Sequence, residues 1–343
     1  MDNKKVLVLG GYGNFGKRIV EDLSTIKNIE ILIAGRDINK AQKLVSELKP
    51  GANAQLTTLL INISSKDFSD SLNTISPFLV IHTSGPFQKQ DHRVPLACLN
   101  ANAHYIDLAD DTHFVCNIES LNLEAKEKDL LIVSGASSVP GLSSAVLDHY
   151  KEEFTNIHDI DIAIAPGNKA ERGEATVRGV LSYTGKPFPS FKNGATTPSY
   201  GWMDVRQLNF DGIIGKRWLA NVDVPDLSLY PSRYNVKNSV VFQAGLELPI
   251  LHFGMNIMAW LTKLNLFKSR DKLTKPIIFM SKVLSRLGTD KGAMRVSVTG
   301  NYKETPKEIT WTLFADNGVG PYIPIISTII IARKLISENI QLT

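Results

Sequence analysis

The sequence predicts an α/β protein: a doubly wound parallel sheet in the first part of the chain, then a second, α+β domain with an antiparallel sheet. Three observations carry this. Short apolar runs at residues 6–9, 29–34, 56–63, 78–83, 104–108 and 130–134 alternate with stretches of helical character, as parallel strands joined by crossover helices do. A glycine-rich turn lies directly between the first run and the first helix. Beyond Leu142 the alternation stops. Segments 294–302 and 308–315 instead alternate apolar and polar residues around the turn-like Lys303-Glu304-Thr305-Pro306-Lys307, which predicts an antiparallel pair.

The first unit is complete. Strand 6–9 feeds into Gly10-Gly11-Tyr12-Gly13-Asn14-Phe15-Gly16, residues 17–23 read as a helix, and 29–34 as a second buried strand. Gly11, Gly13 and Gly16 form Gly-x-Gly-x-x-Gly in its required strand–turn–helix context. Such a turn lets the backbone approach a pyrophosphate, whose charge then sits at a helix N-terminus. This predicts a Rossmann-type dinucleotide site, with Gly10, Gly11, Tyr12, Gly13, Asn14, Phe15 and Gly16 around the cofactor. An NAD site usually closes the second strand with an acid for the ribose 2′-hydroxyl. Here Ala34-Gly35-Arg36 stands at that place, and Arg36 offers a planar cationic fork suited to a 2′-phosphate. NADP(H) is therefore favoured over NAD(H). Asp37 is expected to cap the helix at 39–48.

Ligands of parallel sheets bind outside the strand C-terminal ends. The loops after Leu9, Ala34, Thr83, Leu108 and Ser134 should converge on the cofactor. Thr83, Ser84, Gly85, Pro86 and Phe87 are expected to border its nicotinamide half, with Ser137 and Ser138 beside them. The two serines also suit capping of a helix starting near Pro140. His82, Tyr105 and Asp107 are the candidate acid–base residues. His82 titrates near neutrality, although its place in the strand suits a packed histidine. Tyr105 and Asp107 alternate along one strand and share a face; Asp107 equally suits a helix cap.

The expected division is a nucleotide domain over 1–142, to which a C-terminal helix within 322–343 returns, and a second domain over 143–321 for substrate or oligomerisation. In the latter, 157–165 and 240–246 read as strands, 173–183 and 273–287 as helices, and 187–231, rich in Pro, Gly and Asn, as long ordered loops. Arg178, Trp202, Arg206 and Arg217 are the substrate candidates, since an arginine can clamp a carboxylate. Apolar stretches at 246–266 and 323–332 are interrupted or too short to span a bilayer and are expected to pack as buried helices. A peripheral membrane contact or a homodimer interface through them stays open.

Composition is that of an ordinary soluble protein, with 43% hydrophobic and 21% charged residues. A formal charge of +4, without a basic stripe, gives no reason to expect nucleic acid. Cys98 and Cys116 build neither a disulfide framework nor a metal site, which fits a reducing cytoplasm. The glycine turn begins at Gly10, leaving no room for a cleavable signal peptide ahead of it.

These residues resemble the saccharopine dehydrogenase-like oxidoreductases. The resemblance rests on the glycine turn with Ala34-Gly35-Arg36, on Val80-Ile81-His82-Thr83-Ser84-Gly85-Pro86-Phe87, on Ala97-Cys98, on His104-Tyr105-Ile106-Asp107, and on Ser137-Ser138-Val139-Pro140-Gly141-Leu142. Gly173-Glu174-Ala175-Thr176, Gly201-Trp202 and Leu287-Gly288-Thr289-Asp290 are similar to one bacterial branch. The resemblance implies hydride transfer between a nicotinamide and a carbon bound to nitrogen or oxygen, with a small amine, imine or carbonyl compound as substrate. The loop that in saccharopine reductases carries aspartate before proline is here Ser137-Ser138-Val139-Pro140, without a carboxylate. A short-chain reductase would need Tyr-x-x-x-Lys, a spacing the chain lacks: Tyr234 and Lys237 are one residue too close. Two other readings remain: a nucleotide-binding regulator or scaffold without chemistry, and a membrane-surface reductase of a lipid-like substrate.

Overall fold

The computed structural model describes residues 3–171, 173–266 and 274–338. The chain divides into two compact units, Met1–Gly141 with Tyr322–Thr343, and Leu142–Pro321.

The first unit holds a six-stranded sheet built from β1 (Lys4–Leu9), β2 (Ile29–Gly35), β3 (Gln55–Leu60), β4 (Leu79–His82), β5 (His104–Asp107) and β6 (Ile132–Val133). Their order is β3-β2-β1-β4-β5-β6 and every pair is parallel. This is the order of a doubly wound dinucleotide fold, with the reversal of direction between β1 and β4. Val6, Leu7, Val8 and Leu9 are all at most 1% exposed, because helices cover both faces of the central strand. Each such side chain contributes roughly 1.5–3 kcal/mol of burial. α1 (Gly16–Leu23) buries Gly16, Ile19, Val20 and Leu23, a helical stripe against that sheet. Asp37 caps α2 (Ile38–Leu48) by accepting from the Lys40 N–H at 3.2 Å. The last helix among the described residues, Ile326–Ile336, buries Thr328, and its Ala332 and Leu335 join the same core cluster as Val6 and Ile19. Thr328 Oγ1 donates to the Ala136 carbonyl at 2.7 Å, and Arg333 pairs with Asp22. Residues 339–343, included in the expected terminal segment, lie outside the described residues.

The remaining helices of this unit are α3 (Phe68–Ile75), α4 (Arg93–Asn100), α5 (Thr112–Asn117) and α6 (Asn122–Glu127). α7 (Ser143–Tyr150) opens the second unit. The helix expected to start near Pro140 begins only at Ser143, after a wide turn over Ser138–Leu142, and Leu142 rather than a serine occupies its cap position.

The second unit is built on β7 (Asn156–Ala165), which pairs in parallel with β12 (Ser239–Ala244) and antiparallel with β13 (Gly292–Tyr302). β13 in turn pairs antiparallel with β14 (Thr305–Ala315) through a tight turn at Lys303-Glu304. The sheet is therefore mixed, with one parallel pair in an otherwise antiparallel arrangement. Segment 187–231 corrects the sequence reading, which made it loops. It contains β8 (Pro187–Lys192), β9 (Ala195–Tyr200), β10 (Arg206–Asn209) and β11 (Lys216–Asn221). α8 (Glu174–Tyr183) precedes these strands and α9 (Asp226–Arg233) follows them. The prolines misled because Pro189 and Pro198 face each other across the β8–β9 hairpin, which joins the sheet only where Phe191 meets Val240. Asn193-Gly194 turns the hairpin with φ of 53° and 73°, the mirror-image turn that Asn-Gly favours.

α10 (Pro249–Lys263) and α11 (Thr274–Leu284) complete the unit. Leu273, in the helix expected over 273–287, lies outside the described residues. α10 was expected to be buried. Its Met255, Met258 and Ala259 are, but Ile257, Trp260 and Leu264 are 60%, 48% and 60% exposed. Among the described residues no helix is long and apolar enough to cross a membrane.

Candidate nucleotide site

The glycine turn leaves β1 at Gly10, whose φ of +76° only glycine adopts without strain. Gly10 N–H donates to the Ala34 carbonyl at 2.8 Å, tying the turn to the end of β2. A Cβ on Gly16 would run into the Gly10 carbonyl oxygen and come within 2.8 Å of Gly11 Cα, so α1 can start this close to β1 only with glycine there. A Cβ on Gly10 would meet Ser84 Oγ at 2.7 Å and Thr83 Oγ1 at 2.9 Å. The turn after β1 and the loop after β4 thus touch, at the point where strand order reverses. No acid lies in the first turn of α1. The N-terminal dipole there is not cancelled from within its own first turn.

Tyr12 reaches sideways from this turn. Its hydroxyl accepts from the Asp37 N–H at 2.9 Å, and its ring lies so close over Gly35 that a side chain there would collide with it. Asn14 is bound to Arg18, which donates to its side-chain oxygen at 2.6 Å. Phe15 occupies the cap position of α1 and packs on the core.

Arg36 is exposed and makes no hydrogen bond or ion pair within the described residues, while its neighbour Asp37 is engaged as the cap of α2. Arg36 lines an open surface cavity of about 420 Å³ together with Asn62, Ser65, Asp67 and Ser71, over a floor of Ile61 and Phe68. The sequence reading missed these partners. It carried the third strand to residue 63, which absorbed Asn62 into the strand and left the loop after β3 out of the set converging at the strand ends. Placing the strand end at Leu60 exposes the signal: Asn62 and Ser65 follow a C-terminal strand end beside that of β2. Within the cavity Ser65 donates to Asp67, which holds that carboxyl below its ordinary pKa.

The loop after β4 is locked by its own side chains. Thr83 Oγ1 donates to the Leu9 and Gly10 carbonyls at 2.8 and 3.1 Å. Gln90 donates to the Ser84 and Pro86 carbonyls and contacts His82 Nε2 at 3.2 Å. Ser84 N–H approaches His82 Nδ1 at 3.4 Å, which makes Nδ1 the acceptor and Nε2 the donor. The Gly85–Pro86 peptide is cis. Phe87 is buried edge-on against His82 at 4.9 Å, so its ring belongs to the core.

The three acid–base candidates are all fully enclosed. Burial pushes the His82 pKa down to about 4, against the weaker upward pull of Gln90, so the ring is neutral at physiological pH. Tyr105 has its hydroxyl deep in the core, and burial raises its pKa far above the ordinary value. Asp107 accepts from Gly135 N–H at 2.8 Å, Ala109 N–H at 2.9 Å and Ser134 Oγ at 3.0 Å. It staples the loops after β5 and β6 and caps no helix; Asp111 caps α5. Burial raises the Asp107 pKa and these hydrogen bonds oppose it. Ser137 is half-buried, with its N–H on the Gly135 carbonyl, and Ser138 is buried.

In the second unit the arginine candidates are engaged. Arg178 pairs with Glu174 one helical turn away at 2.6 Å, and Thr176 is exposed on the same helix. Arg206 pairs with Asp161 at 2.6 Å. Arg217 donates to the Ile214 carbonyl at 2.6 Å and reaches Glu247 at 3.5 Å. Trp202 is buried against His252, ring to ring at 5.3 Å. A polar centre that the sequence did not reveal lies elsewhere in this unit. Ser143 Oγ donates to Asp226 at 2.6 Å and lies 2.6 Å from the Tyr230 hydroxyl, which is 3.0 Å from Ser144 Oγ. All but Ser144 are fully buried, and burial pushes the Asp226 pKa up to about 6. Residues 83–87 apart in sequence meet there, a distance no local motif spans.

Comparison with known proteins agrees with the glycine turn. Residues 6–133 match the family model of the saccharopine dehydrogenase NADP binding domain. Among solved structures, GenD2 from gentamicin A biosynthesis in complex with NAD is similar over 93% of this chain and 74% of its own, at 14% identity and a TM-score of 0.42. An engineered D-amino acid dehydrogenase bound to NADP+ is similar over 98% and 89%, at 14% identity and a TM-score of 0.47. A probable dehydrogenase from Thermotoga maritima is similar over 97% and 89%, at 10% identity and a TM-score of 0.47. Likenesses this distant carry no argument about substrate. No curated protein matches the sequence significantly.

Proposed function

We propose that the protein is an NADP(H)-dependent oxidoreductase acting on a small amine, imine or carbonyl compound. The observation that carries the cofactor choice is Arg36 at the end of β2, without a hydrogen bond or ion pair among the described residues and beside an open cavity, with the adjacent Asp37 used as a helix cap and Asp67, on the cavity wall, bonded by Ser65. A 2′-phosphate needs a bidentate cation, whereas a 2′-hydroxyl needs an acceptor. In this reading Gly10, Gly11, Gly13 and Gly16 admit the pyrophosphate to the start of α1, Arg36 grips the 2′-phosphate, and Asn62 supplies a neutral donor beside it, the Ser65 hydroxyl being engaged by Asp67. Tyr12, over Gly35 and bonded to Asp37 N–H, ties the glycine turn to the end of β2. Thr83, Ser84, Gly85, Pro86, Ser137 and Ser138 border the nicotinamide half. When bound, a nicotinamide dinucleotide supplies or takes up a hydride. His82 and Asp107 act by holding the loops after β4, β5 and β6 in place, and Tyr105 by packing in the core beneath them, all three being enclosed.

The test is a fluorescence titration of the wild type and Arg36→Ala with NADPH and NADH. The substitution should weaken NADPH by about tenfold to a hundredfold, the loss of a charge-assisted bidentate contact, and leave NADH nearly unchanged. Equal losses for both, or a wild type that prefers NADH, would sink the assignment. Enclosure of the three acid–base candidates favours one second reading, a nucleotide-binding regulator without turnover. NADPH binding without oxidation of the cofactor across amine, imine and carbonyl panels would select it.

A further inference from the structure

Large hydrophobic side chains left exposed are concentrated in one region. Of the twenty that are exposed among the described residues, eleven fall within 250–287. On α10 they are ordered: Ile250, Phe253, Ile257, Trp260, Leu261 and Leu264 recur at helical spacing along the side opposite the buried His252, Met255, Met258 and Ala259. α11 adds Phe279, Met280 and Val283, and its Ile277 packs on the hydrophobic cluster to which α10 contributes Met255, Met258 and Ala259. A helix on the surface of a monomer ordinarily turns polar residues outward. α10 is apolar on both sides.

Charge selects the occupant. Residues 263–286 contain seven lysines and arginines and one acid, a net charge of +6, whereas the whole chain carries +4. The rest of the chain is therefore net acidic, and its cationic excess sits in the stretch that holds the exposed hydrophobics. Lys263 lies over the rings of Tyr200 and Trp260, at 3.9 and 5.4 Å from their centroids, as an amphipathic side chain does at a polar–apolar boundary. A two-fold interface through α10 would set Lys263 against a helix that carries no acid. An anionic lipid surface satisfies both features, taking the apolar side chains among its acyl chains and the cations among its headgroups. We propose that the outer face of α10 and α11 docks the protein on membranes carrying anionic headgroups, without spanning them.

Flotation of the full-length protein tests this. It should rise with vesicles of equimolar phosphatidylcholine and phosphatidylglycerol at low salt, and far less with phosphatidylcholine alone or at high salt. The double substitution Ile257→Glu and Leu264→Glu, at exposed positions, should reduce binding by about tenfold or more. Reversal of Lys263 and Arg286 to Glu should reduce it on the order of tenfold and flatten the salt dependence. Wild-type protein that stays at the bottom of the gradient at low salt overturns the proposal. So does binding that ignores the phosphatidylglycerol. A dimer in solution that Ile257→Glu with Leu264→Glu dissolves would make a second copy the occupant and overturn it equally.

Discussion

Arg36 and Arg217, both candidate ligands for an anion, differ in their surroundings. Arg36, in the nucleotide unit, has no partner among the described residues and lines an open cavity. Arg217, in the second unit, is largely buried, bonded to two backbone carbonyls, and beside Glu247. Both residue types suit an anionic ligand. What separates them is whether the donors are already spent. Glu247 is the centre of the second arrangement: it accepts from Asn168 N–H, Thr289 N–H and Thr289 Oγ1 at 2.7–2.8 Å. Burial pulls its pKa up, but these hydrogen bonds and Arg217 outweigh burial and hold it below the ordinary value. One cation is available for binding, while the other is part of the fold.

This contrast can be broken at several points, the largest first. Glu247→Ala leaves Arg217 and two backbone N–H groups without their acceptor and should cost about 3 kcal/mol in denaturant unfolding of the second unit. A cost below about 1 kcal/mol would show that Arg217 is not held as described.

Asp226→Asn should expose a pH dependence. Asp226 has its pKa raised in the folded protein from 3.8 to about 6, so the folded state holds more protons between these values. Its contribution to stability is present below pH 4 and lost as pH rises through about 6. Asn mimics the protonated side chain, so the variant should gain on the wild type by up to about 3 kcal/mol at pH 7 and by little at pH 4. His82 has the opposite sign. Its pKa is lowered to about 4, so it favours the folded state above pH 6.5 and loses that contribution as pH falls towards 4. Comparing Asp226→Asn with wild type at each pH cancels the histidine term; a difference that is flat with pH contradicts the buried Asp226.

Arg36→Ala should move unfolding by no more than about 0.5 kcal/mol, while cofactor affinity drops, because no internal contact is lost. Any large loss of stability would reveal a structural role. The smallest effect belongs to Arg178→Ala, which breaks one exposed helical pair with Glu174 and should change stability by about 0.3–0.5 kcal/mol and NADPH affinity not at all.

Some of this was readable in one dimension. Gly16 had to be glycine wherever α1 met β1, because the approach is set by backbone geometry and not by distant partners. The apolar runs that became β1, β2 and β4 were likewise plain, since strands covered on both faces need continuous hydrophobicity. The β13–β14 pair was legible from its alternation around a turn. The β8–β9 hairpin was not, because its prolines and threonines read as loop and the Asn193-Gly194 turn was passed over.

Side-chain chemistry was the least legible. His82, Tyr105 and Asp107 lie at the ends of strands, where catalytic groups often sit, and only packing showed that Phe87, Gln90 and the backbone of Ala109 and Gly135 already occupy them. The same holds for the Ser143–Asp226–Tyr230 centre and for the exposed side of α10. By itself the sequence determined the parallel α/β unit, its glycine turn and the cation at the end of β2, because periodicity, φ and local spacing are properties of neighbouring residues. Tertiary structure alone decided which polar groups are spent and which are free, because a proton donor, a buried carboxylate and an open arginine differ only in what distant segments bring beside them.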